Sequence, residues 1–112
     1  IGDFQIARAG WIGDYIDPKS FLDMMVTGRG NNQTGWSNDE FDNLMIAAAN
    51  SKSQNERYEN FYKAEKILID EMPIIPIYTY TRIYMLHEDV QGWGNNLLDS
   101  RPYQFVYLDN KE

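Results

Sequence analysis

The sequence predicts a small α/β domain that combines strands with a helical hairpin. Two capping-box sequences, at residues 37–40 and 53–56, each precede a run of apolar residues with helical spacing. Alternating or β-branched runs at residues 3–9, 74–80 and 103–108 are typical of strands. With 112 residues, the chain can bury one modest core.

Composition excludes several classes of function. Hydrophobic residues make up 43% and charged residues 24%, which is ordinary for a globular domain and argues against disorder. The net charge of -7 disfavours binding to nucleic acid, because the sequence has no basic stripe that could contact phosphates. The same negative charge disfavours binding to an anionic membrane surface. The chain has no cysteine, which excludes disulfides, thiol nucleophiles and thiolate metal sites. No apolar run reaches the roughly 18 residues of a membrane-spanning helix.

The first predicted helix begins at Asp17 and Pro18. Asp is a favoured N-cap, and Pro is tolerated at the first helical position because its missing N–H would be unpaired there. This helix would end near Gly28, with an apolar face of Phe21, Leu22, Met24 and Met25. The polar, glycine-rich run at residues 28–35 lacks lysine and phosphate-loop spacing, so we interpret it as a flexible connector.

Two longer helices should form the hairpin. Ser37 would cap the first, with Trp36 and Phe41 in the staple positions, and Ser53 would cap the second. The second should end before Pro73, which disfavours a helical residue ahead of it. The first helix carries Phe41, Leu44, Met45 and Ala48 on its apolar face, and the second carries Tyr58, Phe61, Tyr62, Ala64, Ile67, Leu68 and Ile69.

The last third should be mostly extended. Residues 74–80 resemble a strand, but Pro76 restricts it to an edge or irregular position. Residues 82–86 should continue in extended form to a turn at residues 87–89. A loop with an exposed indole at Trp93 should then lead to a closing strand at residues 103–108.

The loop at residues 7–18 concentrates chemistry between a predicted strand and a predicted helix start, where ligands often bind. Asp14 lies between Gly13 and Tyr15 in otherwise apolar and aromatic surroundings, so its carboxylate needs a cation. That cation is either Arg8 or the ammonium group of a ligand. Trp11 and Tyr15 either form apolar walls of a cleft or pack in the core.

Catalytic and metal-binding patterns are weak. His87 is the one histidine, and its turn beside Glu88 and Asp89 is typical of a solvated surface residue. No serine lies in a nucleophile elbow, and calcium-loop spacing is absent. We therefore predict a non-enzymatic protein without a metal or cofactor.

Four segments together resemble the C-terminal portion of the family 5 extracellular solute-binding proteins, the oligopeptide-binding receptors of bacterial ABC importers. They are A-R-A-G-W-I-G-D-Y-I-D-P at residues 7–18, W-S-N-D-E-F-D-N-L-M at 36–45, Y-K-A-E-K-I-L at 62–68 and M-P-I-I-P-I-Y-T-Y at 72–80. Their order and spacing match the family, so the resemblance covers essentially the whole chain.

The resemblance implies a two-lobed periplasmic-binding-protein fold of the class II type, which encloses an extended peptide mainly through its main chain. It implies that Asp14 binds the peptide α-ammonium and that Arg8 lies where it can meet a carboxylate. Trp11 and Tyr80 would border side-chain pockets. The full set of expected peptide-binding residues is Arg8, Gly10, Trp11, Ile12, Asp14, Tyr15 and Tyr80.

The resemblance also implies that the chain is part of a longer protein. Residues 1–81 would belong to the C-terminal ligand-binding lobe, and residues 82–112 would return to pack on the N-terminal lobe. The complete receptor would be periplasmic or extracellular, with a lipid anchor as one option, and would deliver oligopeptide to membrane permease subunits. The isolated chain would leave strand edges unpaired and should self-associate.

Other ligands and one other class of function stay open. Members of the same family carry dipeptides, nickel complexes, haem or sugars, and an Asp at position 14 favours a ligand that bears an amine. A sugar-binding module would use stacking rings and would not need Asp14. The helical hairpin could instead serve as a protein interaction module.

Overall fold

The computed structural model describes residues 3–94, 96, 98 and 100–109, in two compact units. The first unit, Ile1–Pro76, contains helix α1 (Lys19–Leu22), a 3-10 turn (Asp23–Met25), helix α2 (Asp39–Asn50) and helix α3 (Gln54–Glu71). The second, Ile77–Glu112, contains strand β1 (Val90–Gln91), a 3-10 turn (Tyr103–Phe105) and strand β2 (Tyr107–Leu108). Within the described residues, no helix has the length and apolar character needed to cross a membrane.

Helix α1 is shorter than predicted and begins one residue later, at Lys19. The Asp17 carboxylate accepts a hydrogen bond from the Lys19 N–H at 2.9 Å, so Asp17 does cap this helix start. Pro18 already has helical angles, with φ of -54°. The 3-10 turn ends at Met25, and Val26 is extended with ψ of 135°, so the helical segment stops short of Gly28.

Helix α2 is capped by Asn38, and the prediction of Ser37 as its cap is wrong by one residue. The Asn38 side chain accepts a hydrogen bond from the Phe41 N–H at 3.0 Å. Asparagine caps helices about as well as serine, and Asn38 also donates to the Glu71 carboxylate at 2.6 Å, which holds it in place. The predicted contact between Trp36 and Phe41 is confirmed, with ring centroids 5.1 Å apart.

Helix α3 agrees with its prediction at both ends. The Ser53 side chain accepts a hydrogen bond from the Glu56 N–H at 3.2 Å, although the Glu56 carboxylate accepts from Lys52 instead of Ser53. The helix ends before Pro73, where Met72 turns into the left-handed region with φ of 51°. The Met72 N–H still donates to the Leu68 carbonyl, at 3.0 Å, so the last turn remains closed.

The core lies between α2 and α3, with α1 packed against α3, and the predicted helical hairpin is confirmed. Burial of one face of each helix drives this packing. Tyr58, Tyr62 and Ile69 lie outside the core and are 44%, 64% and 42% exposed. The buried hydrophobic residues are Leu22, Met25, Phe41, Met45, Ala48, Phe61, Ala64 and Leu68.

Most of the predicted strands are absent from the described part of the chain. Residues 3–9, 74–80 and 82–86 form no strand, and the first half of the predicted closing strand is a 3-10 turn. Among the residues that the structure describes, β1 and β2 alone pair, in antiparallel register, with Val90 opposite Leu108 and Gln91 opposite Tyr107. A run with strand propensity becomes a strand only when another segment supplies hydrogen-bonding partners.

Trp93 is half-buried, so the expectation of an exposed indole is wrong. Its ring centroid is 5.8 Å from that of Tyr84 and 6.2 Å from that of Tyr103. The Arg101 guanidinium lies 4.7 Å from the Trp93 ring centroid, within range of a cation–π interaction. These contacts give the second unit a small aromatic cluster of its own.

Candidate ligand-binding site

The loop that precedes α1 is tied to Ser20, the second residue of that helix. The Trp11 indole Nε1–H donates to the Ser20 carbonyl oxygen at 2.8 Å, and the Asp14 N–H donates to Ser20 Oγ at 2.8 Å. Between them, Gly13 lies so close to α1 that a Cβ there would be 3.1 Å from the Phe21 ring. The loop therefore has a defined path without any strand pairing.

A cavity of about 260 Å³ opens beside this loop. It brings together three of the predicted site residues, Trp11, Asp14 and Tyr15. Its remaining lining comes from α1, the 3-10 turn and the glycine-rich run, and consists of Ser20, Asp23, Met24, Arg29, Gly30 and Asn31.

The glycine-rich run is thus a wall of the cavity, although the sequence interpretation made it only a connector. Asn32 holds the run in place by donating to the carbonyl oxygens of Met25 at 3.1 Å and Trp36 at 2.9 Å. The signal that could have indicated this role is the concentration of Arg29 and Asn31 among glycines directly after a short helix. Polar side chains on a glycine-rich loop often line binding sites.

Asp14 has an exposed carboxylate that makes no hydrogen bond and no ion pair with any residue the structure describes. The alternative in which Arg8 neutralises Asp14 is therefore not observed. Only the backbone N–H of Asp14 is engaged, by Ser20. The carboxylate lines the cavity and can accept hydrogen bonds from a cationic ligand.

The carboxylate in this region that is paired with an arginine of α3 is Asp17, not Asp14. Arg57 of α3 donates two hydrogen bonds to the Asp17 carboxylate, at 2.6 and 2.8 Å. These bonds hold the pKa of Asp17 below its ordinary value, although burial works in the opposite direction. The two residues are 40 positions apart, and no local pattern in the sequence points to the pair.

Tyr15 lies near several negatively charged carboxylates. Burial raises the pKa of its phenol, and the nearby carboxylates of Asp23, Asp17 and Asp14 raise it further, in that order. Asp17 is paired with Arg57, and Asp23 lies 3.6 Å from the Arg29 guanidinium. Asp14 is the carboxylate of this group without an arginine partner among the described residues, so the cavity favours a cation.

The other predicted site residues lie outside this lining. Arg8, Gly10 and Ile12 are exposed neighbours of the lining residues along the loop, and Ile12 is 67% exposed. Tyr80 belongs to the second unit, where its ring centroid is 4.7 Å from that of Tyr78. Their predicted contacts with peptide stay predictions.

His87 lies at the surface of the second unit. Its side chain is 72% exposed, and its Nδ1 is 3.3 Å from an Asp89 carboxylate oxygen. This position agrees with the prediction of a solvated turn histidine.

No protein-family model matches the chain. Curated proteins do match: the dipeptide-binding protein DppE of Bacillus subtilis is 40% identical over 89 residues, which is 80% of this chain and 16% of DppE. The oligopeptide-binding protein OppA of Bacillus subtilis is 44% identical over 91 residues, or 80% of this chain and 17% of OppA. The periplasmic oligopeptide-binding protein OppA of Salmonella typhimurium is 31% identical over 109 residues, or 97% of this chain and 19% of that protein.

A solved structure matches as well, the unliganded open form of the periplasmic murein tripeptide-binding protein MppA. The TM-score is 0.70 at 29% identity, and the match covers 88% of this chain and 19% of MppA. The chain therefore spans less than a fifth of the length of these relatives. This chain is a homologue of one segment of the peptide-binding members of the family 5 solute-binding proteins, with the α/β fold of that segment.

Proposed function

We propose that this chain is part of the substrate-binding component of a peptide ABC importer, and that the loop at residues 7–18 is one wall of the peptide site. The similarity to OppA and DppE supports the class of ligand. The observation that carries the proposal for this loop is the unpaired Asp14 carboxylate on the cavity, beside two carboxylates that already have arginine neighbours.

Asp14 would bind the α-ammonium group of the peptide. An ammonium group offers three donors, and a hydrogen bond to a charged partner contributes on the order of 1.5–3 kcal/mol. Trp11 and Tyr15 would supply apolar walls beside this anchor, since both rings line the same cavity. The main chain of the peptide would supply most other contacts, so side-chain preferences would be broad.

The remaining walls would come from outside this chain, because the relatives are more than five times longer. We propose that residues 1–81 belong to the C-terminal lobe and residues 82–112 return to the N-terminal lobe of such a receptor. Exposed apolar side chains support burial against further protein: Ile77 is 83% exposed, Ile83 92% and Met85 99%. Peptide binding would close the two lobes about a hinge.

The complete receptor would act in the periplasm or at the cell surface, with or without a lipid anchor, and would deliver peptide to permease subunits. It would be a binding protein and not an enzyme. The relatives DppE and OppA are named as peptide-binding proteins, which supports this part of the proposal. A dipeptide is the second candidate ligand, because DppE is 40% identical to this chain. Both ligands bear the ammonium group that Asp14 requires.

The decisive test is calorimetric binding of peptides to the complete receptor. Free-amino peptides should bind, and Asp14→Asn should weaken them roughly tenfold to a hundredfold, as expected for losing a charged hydrogen-bond partner. N-acetylated peptides should bind weakly to both forms. Asp39→Asn is a charge-matched control in the exposed first turn of α2 and should bind as the unaltered receptor does.

Two results would contradict the proposal. Equal affinity for acetylated and free peptides would exclude the ammonium anchor. Binding of sugars that is indifferent to position 14 would favour a module that recognises its ligand by stacking on Trp11 and Tyr15.

Self-association of the isolated chain has its own test. Light scattering across a range of protein concentration should show growth in mass, because exposed apolar segments seek partners. A monomer at every concentration would exclude this part of the proposal.

A further inference from the structure

Ser20 is the one polar residue among the buried residues that the structure describes. It is 4% exposed, and every other residue classed as buried in the described part of the chain is hydrophobic. A buried hydroxyl is costly unless it forms hydrogen bonds, so its presence calls for a partner. The partner of this hydroxyl is the Asp14 N–H, in the loop that lines the cavity.

Ser20 contacts that loop through two different atoms. Its side-chain Oγ accepts the hydrogen bond from the Asp14 N–H, and its carbonyl oxygen accepts the one from the Trp11 indole, each at 2.8 Å. One residue of α1 therefore holds both the carboxylate-bearing residue and the largest ring of the cavity. The carbonyl contact would survive any substitution at position 20, whereas the Oγ contact depends on serine.

The position of the Asp14 carboxylate depends on its backbone, since the side chain has no partner among the described residues. The chain also passes very close to α1 at this point. A Cβ on Gly13 would lie 3.4 Å from Ser20 Oγ and 3.1 Å from the Phe21 ring. The Oγ hydrogen bond thus fixes the position of the Asp14 backbone N–H, and with it the direction in which the Asp14 side chain projects.

Helix α1 is itself firmly placed, which makes it a suitable support. Asp17 caps it and is bound by both terminal nitrogens of Arg57, and Leu22 is part of the core. A misplacement of about 1 Å in a charged contact is enough to weaken it substantially. The serine hydroxyl connects this helix to the backbone of Asp14, whose carboxylate lines the cavity.

We propose that Ser20 is a positioning residue for the Asp14 anchor, and that it determines how strongly the receptor prefers a free amino terminus. This inference rests on the proposed function of Asp14. It assigns the orientation of the Asp14 carboxylate to a residue of α1 whose hydroxyl is already engaged by the Asp14 N–H. Loss of Oγ should therefore reduce recognition of the ammonium group and leave the other peptide contacts intact.

The experiment measures one ratio in the complete receptor: the Kd for an N-acetylated peptide divided by the Kd for the same peptide with a free amino group. Ser20→Ala should lower this ratio at least fivefold, with the Kd for the acetylated peptide changed less than threefold. Ser37→Ala removes a hydroxyl from an exposed position and should keep the ratio of the unaltered receptor. Ser20→Cys preserves the size of the side chain but offers a weaker acceptor, so it should also lower the ratio.

The outcomes separate the two proposals. A ratio near one in the unaltered receptor overturns the ammonium anchor, and with it the role of Ser20. A large ratio that Ser20→Ala leaves unchanged overturns the role of Ser20 alone. Equal loss of affinity for both peptides shows that Ser20 is merely structural and also overturns the inference. If Ser20→Ala does not fold, Ser20→Cys replaces it in the test. An unchanged ratio in Ser20→Cys then overturns the role of Ser20 alone.

Discussion

Arg57 of α3 binds Asp17 through both of its terminal guanidinium nitrogens, with Nη1 2.6 Å from Oδ2 and Nη2 2.8 Å from Oδ1. The guanidinium carbon of Arg57 lies 4.6 Å from the ring centroid of Phe61, a core residue. Asp17 ends the cavity loop and caps α1. The pair therefore connects the candidate site to the helical hairpin.

Replacing Asp17 by asparagine should lower the free energy of unfolding by about 1.5–3 kcal/mol, the usual contribution of hydrogen bonds between charged groups. Asparagine keeps an oxygen that can accept from the Lys19 N–H, while it removes the negative charge and the Oδ2 acceptor that Arg57 Nη1 contacts. Urea unfolding would measure it. Asp70→Asn, in the exposed pair with Lys66, is the control and should have no measurable effect.

The pair also predicts a loss of stability in acid. Hydrogen bonds from Arg57 lower the folded-state pKa of Asp17 below 3.8, so the folded state releases this proton more readily than the unfolded state does. The stability that results is fully present above pH 3.8 and is lost as pH falls through the lower, folded-state pKa. The difference in stability between the unaltered protein and Asp17→Asn should shrink over that interval. A difference that stays constant down to full protonation would contradict the assignment.

Glu71 at the end of α3 should stabilise the start of α2. One of its carboxylate oxygens accepts from the Trp36 indole at 2.7 Å, and the other accepts from Asn38, the α2 cap, at 2.6 Å. Glu71→Ala should lower stability by roughly 1–2 kcal/mol and shift the indole N–H resonance of Trp36. Asp70→Ala, next to it in sequence, should leave that resonance in place. An unshifted resonance in Glu71→Ala would show that the contact is not formed in solution.

Phe41 should be the most sensitive position in the core. It is 0% exposed, and its ring packs edge-to-face on Trp36. Phe41→Ala should lower the free energy of unfolding by about 3–5 kcal/mol, because it removes apolar contacts and leaves a cavity. Ile46→Ala, on the same helix but 60% exposed, should cost much less. Equal losses in urea unfolding at the two positions would show that the core is elsewhere.

Gly92 should tolerate no side chain. Its φ is +77°, and a Cβ there would lie 1.8 Å from the Phe105 carbonyl oxygen, well inside any possible contact. Gly92→Ala should therefore break the pairing of β1 with β2, seen as faster hydrogen exchange at the Asp109 amide, which donates to the Asp89 carbonyl oxygen at 2.8 Å across this pair. Gly94→Ala has open space around its Cβ and should leave exchange unchanged. Equal protection of the Asp109 amide in both variants would contradict the close approach.

Local signals in the sequence determined the helical hairpin. The start of α3 was predicted from Ser53 and its end from Pro73. Both predictions were possible because capping and proline effects act within a few residues. The choice of Asn38 over Ser37 as the α2 cap was not local, since Glu71 holds Asn38 from another helix. The sequence also indicated that Trp11, Asp14 and Tyr15 lie together, and the three line one cavity, while their role in binding stays a prediction.

Tertiary structure decided the rest. Which carboxylate Arg57 would neutralise depended on the packing of α3 against α1, across 40 positions of sequence. The folded chain also brings Arg29 and Asn31 to the cavity and buries Ser20 beside the loop that contains Trp11 and Asp14. Residues 74–80 and 82–86 form no strand despite their composition, because strand propensity depends on the tertiary context. Sequence specified the residues that need a partner, and only the folded chain specified the partner, because such contacts depend on distance in space and not along the chain.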